Sequence, residues 1–279
     1  MKKYTIWIYA LCLVVASILA ASKALDDYGY QYTDEALKRS LVAFGIARGL
    51  NGLISVAQEA EIAMSPAGVG LTVSPGEILD PVNDLIERFS VVMLVSAAAI
   101  GVQKLLLSMS AWQFFNVFVI IAWLGLAGYL LYQLKNKTTI NPWLCKVALF
   151  LLLVRFATPI MALTSQGVYA LFLESEYQQA SQGLEKVTQD IENQTPQNNP
   201  TQTNDDSVFG QAKQWLNKTA SQLDLKKQID SYKQSAERAS KNVIDLITVF
   251  IVQTLLFPLF FLWVLIKSGA GLLKRSPII

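Results

Sequence analysis

Apolar residues along this chain fall into long blocks, and the polar stretches between them keep a helical periodicity. A run of about 20 apolar residues is long enough to cross the hydrocarbon core of a bilayer as a helix. Apolar runs of about this length begin near residues 4, 89, 111, 143 and 243. The pattern predicts a mainly α, integral membrane protein.

The chain is organised around residues 80–108, where a polar helix start leads into an apolar run. Asp80 can cap a helix, and Pro81 fits its first position, where a missing N–H costs nothing. Asp84 and Arg88 lie one turn apart and can pair on one face. We therefore expect one helix that passes from water into the membrane.

Residues 1–24 resemble a secretory signal, because two lysines precede an apolar core and small residues surround Lys23. The same run is long enough to remain as an uncleaved first membrane anchor. The pattern favours cleavage after Ala24. Under either interpretation, the residues that follow are exported to the periplasmic side.

Residues 25–79 are expected to form this small exported region, with an amphipathic helix followed by a β-like hairpin. Thr33 is expected to cap a helix over 34–60. Proline and glycine residues punctuate short β-prone pieces over 63–78, which predicts a hairpin or an ordered loop.

Three glycines, Gly45, Gly49 and Gly52, lie on or beside one face of this helix. Small residues at such spacing permit the close approach of a second helix. That helix belongs either to the chain's own membrane segments, which is the interpretation we favour, or to an oligomeric partner.

The remaining membrane segments follow in three blocks. The first block contains two helices and a basic loop with Lys135 and Lys137. The second is a single helix, and the third is the last helix with a basic C-terminal tail. The blocks cover residues 80–142 (helices 80–108 and 111–133), 143–165 and 243–279.

A polar insertion at residues 166–242 carries two series of apolar residues with heptad spacing. Such spacing is typical of coiled coils. A segment rich in Pro, Asn and Thr separates the series and predicts a flexible tip at 193–206. We expect a long antiparallel, coiled-coil-like helical hairpin. The two series are Leu173, Tyr177, Ala180, Leu184, Val187 and Ile191, then Leu225, Ile229, Tyr232, Ala236, Ala239 and Val243.

The side of the membrane on which this hairpin lies depends on residues 89–107. If they cross fully, Lys135 and Lys137 fall outside, against the tendency of basic loops to remain cytoplasmic. If they only dip in or lie along the outer face, the basic segments fall inside and the hairpin is periplasmic. Gln103 and Lys104 interrupt the apolar run and permit the second arrangement, which we favour.

Polar side chains within apolar runs are candidates for function, since burying them in lipid is costly. Arg155 stands out because it lies near the middle of its span, four residues before Pro159. Its expected partner is Asp245 or a backbone carbonyl freed by the proline. Its role is either functional or that of a structural pair. The other candidates are Lys104, Asp245 and Gln253, with Asn116 and Lys146.

A second group of candidates, Asp80, Asp84, Glu87 and Arg88, lies at the expected boundary between water and membrane. It suits a cation-attracting ring in an oligomer or a contact with a partner. A capped helix with one ion pair explains the same residues, and we favour that interpretation.

Composition narrows the functional classes. The 279 residues contain no histidine and only two cysteines, Cys12 and Cys145. Histidine-based catalysis, most zinc sites and disulfide frameworks are therefore disfavoured. The chain carries no nucleotide-binding or nucleophile-elbow motif. Its net charge of +2 implies no nucleic-acid surface. We expect no enzyme activity and no cofactor.

The sequence therefore predicts a non-catalytic, multi-pass protein of the bacterial inner membrane. Its expected role is structural or assembly-related, through a homo-oligomer or a protein partner bound at residues 166–242. Membrane lipid is the other expected contact. The alternative is a subunit of an oligomeric channel or transporter that uses Arg155 and Lys104 within the membrane.

Overall fold

The computed structural model of the protein describes residues 3–64, 75–136, 141–194 and 208–275. Almost all of these residues are helical, and no strand occurs among them. Most of the expected β-like hairpin at 63–78 and of the expected tip at 193–206 lies outside the described residues.

The described residues form long helices, two of which continue through a π-helical turn. We call the two turns the first and the second π segment. The first, Tyr169–Leu173, joins α5 to α6, and the second, Val252–Leu256, joins α7 to α8. The α-helices are α1 (Lys3–Ser22), α2 (Ala24–Met64), α3 (Pro75–Ala111), α4 (Gln113–Asn136), α5 (Pro142–Val168), α6 (Glu174–Gln194), α7 (Val208–Ile251) and α8 (Phe257–Arg275).

Four of the helical stretches are long and apolar enough to cross a membrane, in agreement with the membrane segments expected from sequence. They are 79–110, 113–136, 143–193 and 230–271. A fifth candidate is the bent pair of α1 and α2, whose axes differ by 51°. The bend occurs at Lys23, which adopts a left-handed backbone conformation with φ of 55°.

Two predicted helix starts are wrong. Thr33 lies inside α2, and its hydroxyl donates to the carbonyls of Gly29 and Tyr30, both at 3.0 Å. Asp80 also lies inside a helix, because α3 begins at Pro75 and includes Pro81. Residues that favour caps are tolerated inside helices when the surrounding structure holds the chain helical.

The chain divides into two compact units, of which the first contains Met1–Ser40, Val95–Leu173 and Phe250–Ile279. In this unit α2 and α3 are antiparallel, because Tyr30 bonds Ser108 and Asp34 pairs with Lys104. The end of α1 likewise meets the start of α4, because the Ala20 carbonyl accepts a hydrogen bond from Asn116. The C-terminal part of α3 therefore lies along α2, and α4 lies along α1. The helices α3 and α4 run in the same direction and do not fold back on each other.

An apolar cluster joins α1, α4 and α5 within the first unit. Trp123 of α4 is fully buried, stacks on Phe156 and donates through Nε1 to the carbonyl of Ala148 at 3.3 Å. From α1 the cluster takes one residue on each successive turn, such as Ala10 and Leu13. Residues 3–22 are thus an integral part of the packing of this unit.

The second unit contains Leu41–Leu94 and Glu174–Val249, and heptad-spaced residues form its core. The sequence predicted such series in α6 and α7 but not in α2 and α3. The four series given below are almost completely buried, as a close-packed helical core requires. Of the other residues predicted for the seam, Leu173 and Tyr177 are half-buried, and the side chains of Leu225 and Ile229 lie outside those that the structure describes. The four series are Ala43, Ala47, Leu50 and Ile54; Leu79, Val82, Ile86, Phe89 and Met93; Ala180, Leu184, Val187 and Ile191; and Tyr232, Ala236, Ala239 and Val243.

Side chains of α6 and α7 contact each other within the second unit. Asp190 accepts a hydrogen bond from Arg238 Nη1 at 3.4 Å. A Cβ placed on Gly183 would lie 2.8 Å from Cγ of Asn242, so this glycine provides the space for the amide side chain.

The glycine face of α2 does not pack on the chain's own described helices, contrary to the interpretation favoured above. Gly45, Gly49 and Gly52 are exposed, and a Cβ on any of them would meet no atom within 4 Å. Leu41 and Val56, at the two ends of this face, are 50% and 53% exposed.

Candidate functional site

Arg155 is the centre of a closed hydrogen-bond network in the first unit. Its Nη1 and Nη2 donate to the two carboxylate oxygens of Asp26, at 2.8 and 2.5 Å. Its Nε donates to Oδ1 of Asn116 at 3.0 Å. The side chains of Arg155 and Asp26 are only 1% and 2% exposed. All three guanidinium nitrogens are thus engaged, in the bidentate geometry that makes the strongest ion pairs.

The bend at Lys23 is part of this network. In a continuous helix the carbonyl of Ala20 would accept from the N–H of residue 24. Here the helix is broken, and the Ala20 carbonyl accepts instead from Nδ2 of Asn116, at 3.0 Å. Asn116 thereby connects the end of α1 to Arg155, and Asp26 connects the start of α2 to the same side chain.

The expected pairing of Arg155 with Asp245 is wrong. Asp26 occupies both Nη groups, while Asp245 is half-buried on α7, in the second unit. Asp26 was missed because it lies just beyond the expected cleavage position, in a segment that we expected outside the membrane. Its position 129 residues from Arg155 in the chain leaves no periodicity that would connect them.

Lys104, another candidate from the sequence, forms an ion pair with Asp34. The two side chains are 38% and 56% exposed. This pair is therefore more accessible than that of Arg155 and Asp26. Lys146 is half-buried on α5.

The four boundary candidates lie on the exposed part of α3. Asp84 accepts from Nε of Arg88 at 3.0 Å, as the spacing predicts, and both side chains are largely exposed. Asp80 accepts from Nε2 of Gln58 at 2.7 Å, and Glu87 is exposed. Asp84 and Arg88 therefore form the expected pair, and Asp80 contacts α2.

Gln253 belongs to a second group of buried polar residues in the first unit, which we call the Arg39 cluster: Tyr32, Arg39, Ser165, Tyr169 and Gln253. Gln253 donates through Nε2 to the Tyr32 hydroxyl at 2.9 Å. Ser165 and Arg39 both neighbour Tyr32, and the Arg39 guanidinium lies 3.8 Å from the centre of the Tyr169 ring.

Two residues of the cluster lie in the π segments. Tyr169 belongs to the first π segment and Gln253 to the second. Single π-helical turns within α-helices occur frequently at functional sites. The sequence singled out Gln253 only, and the spacing of seven residues between Tyr32 and Arg39 was the one signal that could have joined those two.

Several polar atoms of the Arg39 cluster are buried without a hydrogen-bond partner. They are Nε and Nη2 of Arg39, Oγ of Ser165 and Oε1 of Gln253. Unpartnered groups at such depth are uncommon in folded proteins and require a specific explanation. The only acidic contact described for Arg39 is Glu35, whose oxygen lies 3.8 Å from Nη1 and whose side chain is 67% exposed.

The described part of the chain contains no group of three or more His, Cys, Asp or Glu side chains that could hold a metal ion. No protein-family model, curated protein or solved structure matches the chain.

Proposed function

We propose that this chain is a non-catalytic, multi-pass protein of a bacterial inner membrane that assembles with a second copy or with a protein partner. The contact is formed by the second unit, which contains most of residues 166–242 and the glycine-bearing part of α2. The buried polar residues of the first unit serve to hold its membrane helices together.

The exposed glycine face of α2 is the observation that carries this proposal. Gly45, Gly49 and Gly52 leave open space on the surface, between the exposed apolar residues Leu41 and Val56. A face of this kind allows another helix to approach closely and bury apolar surface. The chain's own described helices leave that face uncovered.

The alternative, an oligomeric channel or transporter, receives less support from the contacts. Arg155 is engaged by Asp26 and Asn116, and Lys104 is engaged by Asp34. Either residue would have to leave its partner to contact an ion or a substrate. Breaking the buried pair of Arg155 and Asp26 would cost several kcal/mol, whereas the partly exposed pair of Lys104 and Asp34 would cost less. We therefore place assembly first.

We further propose that α6 and α7 form the antiparallel hairpin expected from their heptad series. The contact between Asp190 and Arg238 and the fit of Asn242 against Gly183 support this pairing. The buried residues on both helices supply the seam.

The order of contacts in the first unit also supports a periplasmic hairpin. Because α3 and α4 follow one another, we count them as a single crossing. The start of α1 at Lys3, the end of α4 near Lys135 and the end of α8 at Arg275 then lie on one side. Basic residues favour the cytoplasmic side, so the parts of residues 25–79 and 166–242 that belong to the second unit would be periplasmic.

The test is the mass of the protein purified in mild detergent, with glycine variants on two faces. Wild type should run as an oligomer or with a bound partner, and Gly49→Leu should release the monomer. Leucine has a higher helix propensity than glycine, so Gly49→Leu should not lose assembly through unfolding. The control is Gly128→Leu, an exposed glycine of α4 that also has open space. A monomeric, partner-free wild type would refute the proposal.

A further inference from the structure

We propose that the Arg39 cluster and an adjacent apolar groove bind one anionic phospholipid whose head group also carries hydroxyls. The juxtaposition that carries this inference is a buried guanidinium with two unused donors beside a groove that fits an acyl chain. The inference is independent of the assembly proposed above.

The unused donors of Arg39 are the pair that recognises acid groups. Nε and Nη2 point in the same direction from the guanidinium and together bind two oxygens of a phosphate or carboxylate. In this structure both atoms are buried without a partner. The Tyr169 ring covers the face of the guanidinium, which leaves this edge as the binding edge.

The other two unpartnered groups, on Gln253 and Ser165, indicate what else the lipid head group must carry. Oε1 of Gln253 can only accept a hydrogen bond, so it requires a donor such as a hydroxyl. Oγ of Ser165 can donate or accept. A ligand that satisfies all of them carries an acidic phosphate and at least one hydroxyl, as phosphatidylglycerol does.

The groove is formed by α5, the first π segment and α8, close in the chain to Ser165, Tyr169 and Gln253 of the cluster, and has a volume of about 480 Å³. On α5 it is lined by Thr164, Gly167 and Val168, whose neighbours Ser165 and Tyr169 belong to the cluster. Its opposite wall begins at Phe257, four residues beyond Gln253. The hydroxyl of Thr164 donates to the carbonyl of Ile160 at 2.7 Å, so the groove presents an apolar surface.

Charge gives the reason for a lipid with an acidic head. Arg39 is a largely buried cation whose described acidic contact is a pair with Glu35 at 3.8 Å, and the Glu35 side chain is 67% exposed. A buried charge is costly until it is paired. The binding edge of Arg39, its Nε and Nη2, is closed to solvent in this structure. The head group therefore enters when the side chains between the cluster and the groove move apart. The acyl chain then occupies the groove.

The experiment is native mass spectrometry of the full chain in detergent, titrated with phosphatidylglycerol, phosphatidic acid and phosphatidylcholine. Phosphatidylglycerol should bind at least about tenfold more tightly than phosphatidylcholine, whose head group adds a cation beside Arg39 and has no hydroxyl for Gln253, since a buried acceptor left without its donor costs about one tenfold step or more. Glycerol 3-phosphate, which has the head group but no chain, should bind far more weakly than the lipid.

Variants assign the contacts. Arg39→Gln should remove the preference for phosphatidylglycerol, and Arg39→Lys should weaken it because lysine keeps the charge but not the fork. Gln253→Leu should reduce the preference for phosphatidylglycerol over phosphatidic acid. Gly167→Leu should block the groove for every lipid. The controls are Arg48→Gln, an exposed arginine of α2, and Gly128→Leu.

Two results would overturn the proposal. One is equal binding of phosphatidylglycerol and phosphatidylcholine to wild type, which would leave buried water as the partner of the cluster. The other is an unchanged preference in both Arg39 variants, which would place any bound lipid elsewhere on the surface.

Discussion

Removing Arg155 should destabilise the protein strongly, because its carboxylate partner cannot reach water. Asp26 is 2% exposed and receives both of its charged hydrogen bonds from Arg155. Leaving one member of such a pair behind costs about 3–5 kcal/mol. Oδ1 of Asn116 also loses its donor. We therefore expect Arg155→Ala to lower the free energy of unfolding by at least about 3 kcal/mol.

The matched control is the exposed pair of Arg88 and Asp84. Their side chains are 74% and 63% exposed and lie one helical turn apart. Pairs of this kind contribute only about 0.3–0.5 kcal/mol. Arg88→Ala should therefore change the stability little. Both variants would be unfolded by heat or denaturant in the same detergent as wild type.

A double variant tests whether the stranded carboxylate is the cause. When both Arg155 and Asp26 are replaced by leucine, no buried charge remains, and such replacements are often neutral or stabilising. Much of the lost stability should return, less about 1–3 kcal/mol for the unpartnered oxygen of Asn116. If Arg155→Ala matched the Arg88→Ala control, or if the double variant were less stable than Arg155→Ala, the stranded Asp26 carboxylate would not be the cause of the loss.

Three further predictions concern the second unit. Leu184→Ala should cost about 2–5 kcal/mol in thermal or chemical unfolding because Leu184 is fully buried, whereas its exposed neighbour Glu185→Ala should cost little; equal effects would contradict the predicted seam. Gly183→Ala should bring no gain in stability while Asn242 occupies the space, and adding Asn242→Ala should recover the helix-propensity gain of about 1 kcal/mol; a gain from Gly183→Ala alone would show that the amide moves freely. A cysteine at Thr201, in a background without Cys12 and Cys145, should react with a membrane-impermeant thiol reagent in intact spheroplasts; protection until lysis would make the hairpin cytoplasmic.

The membrane segments and part of the helical core could be predicted from the sequence. The membrane segments and the buried residues of α6 and α7 follow from run length and heptad spacing, which depend only on neighbours along the chain. The equivalent series in α2 and α3 were missed. In α2 and α3, glycines and apolar residues also occupy the exposed faces, so the buried heptad positions do not stand out in the sequence.

The contacts of the polar residues were less accessible. Asp84 and Arg88 are four residues apart and were paired correctly, because a helix fixes that distance. Arg155 and Asp26 meet only through the packing of separate helices, and no local pattern encodes that meeting. The errors at Thr33 and Asp80 have a related cause. Both residues have the chemistry of a cap, but tertiary packing extends the helices through them.

The bend at Lys23 gives α1 a fixed length, and this makes the thickness of the surrounding bilayer relevant to the ion pair. The helix has 20 residues and is about 30 Å long, close to the hydrocarbon thickness of a typical bilayer. In a thinner or thicker bilayer α1 would have to tilt. Its last turn is bonded to Asn116 through the Ala20 carbonyl, and Asn116 is bonded to Arg155. A change of tilt would therefore act on the same side chains that hold Asp26, and acyl-chain length should influence the stability of this protein more than that of an Asn116→Leu variant.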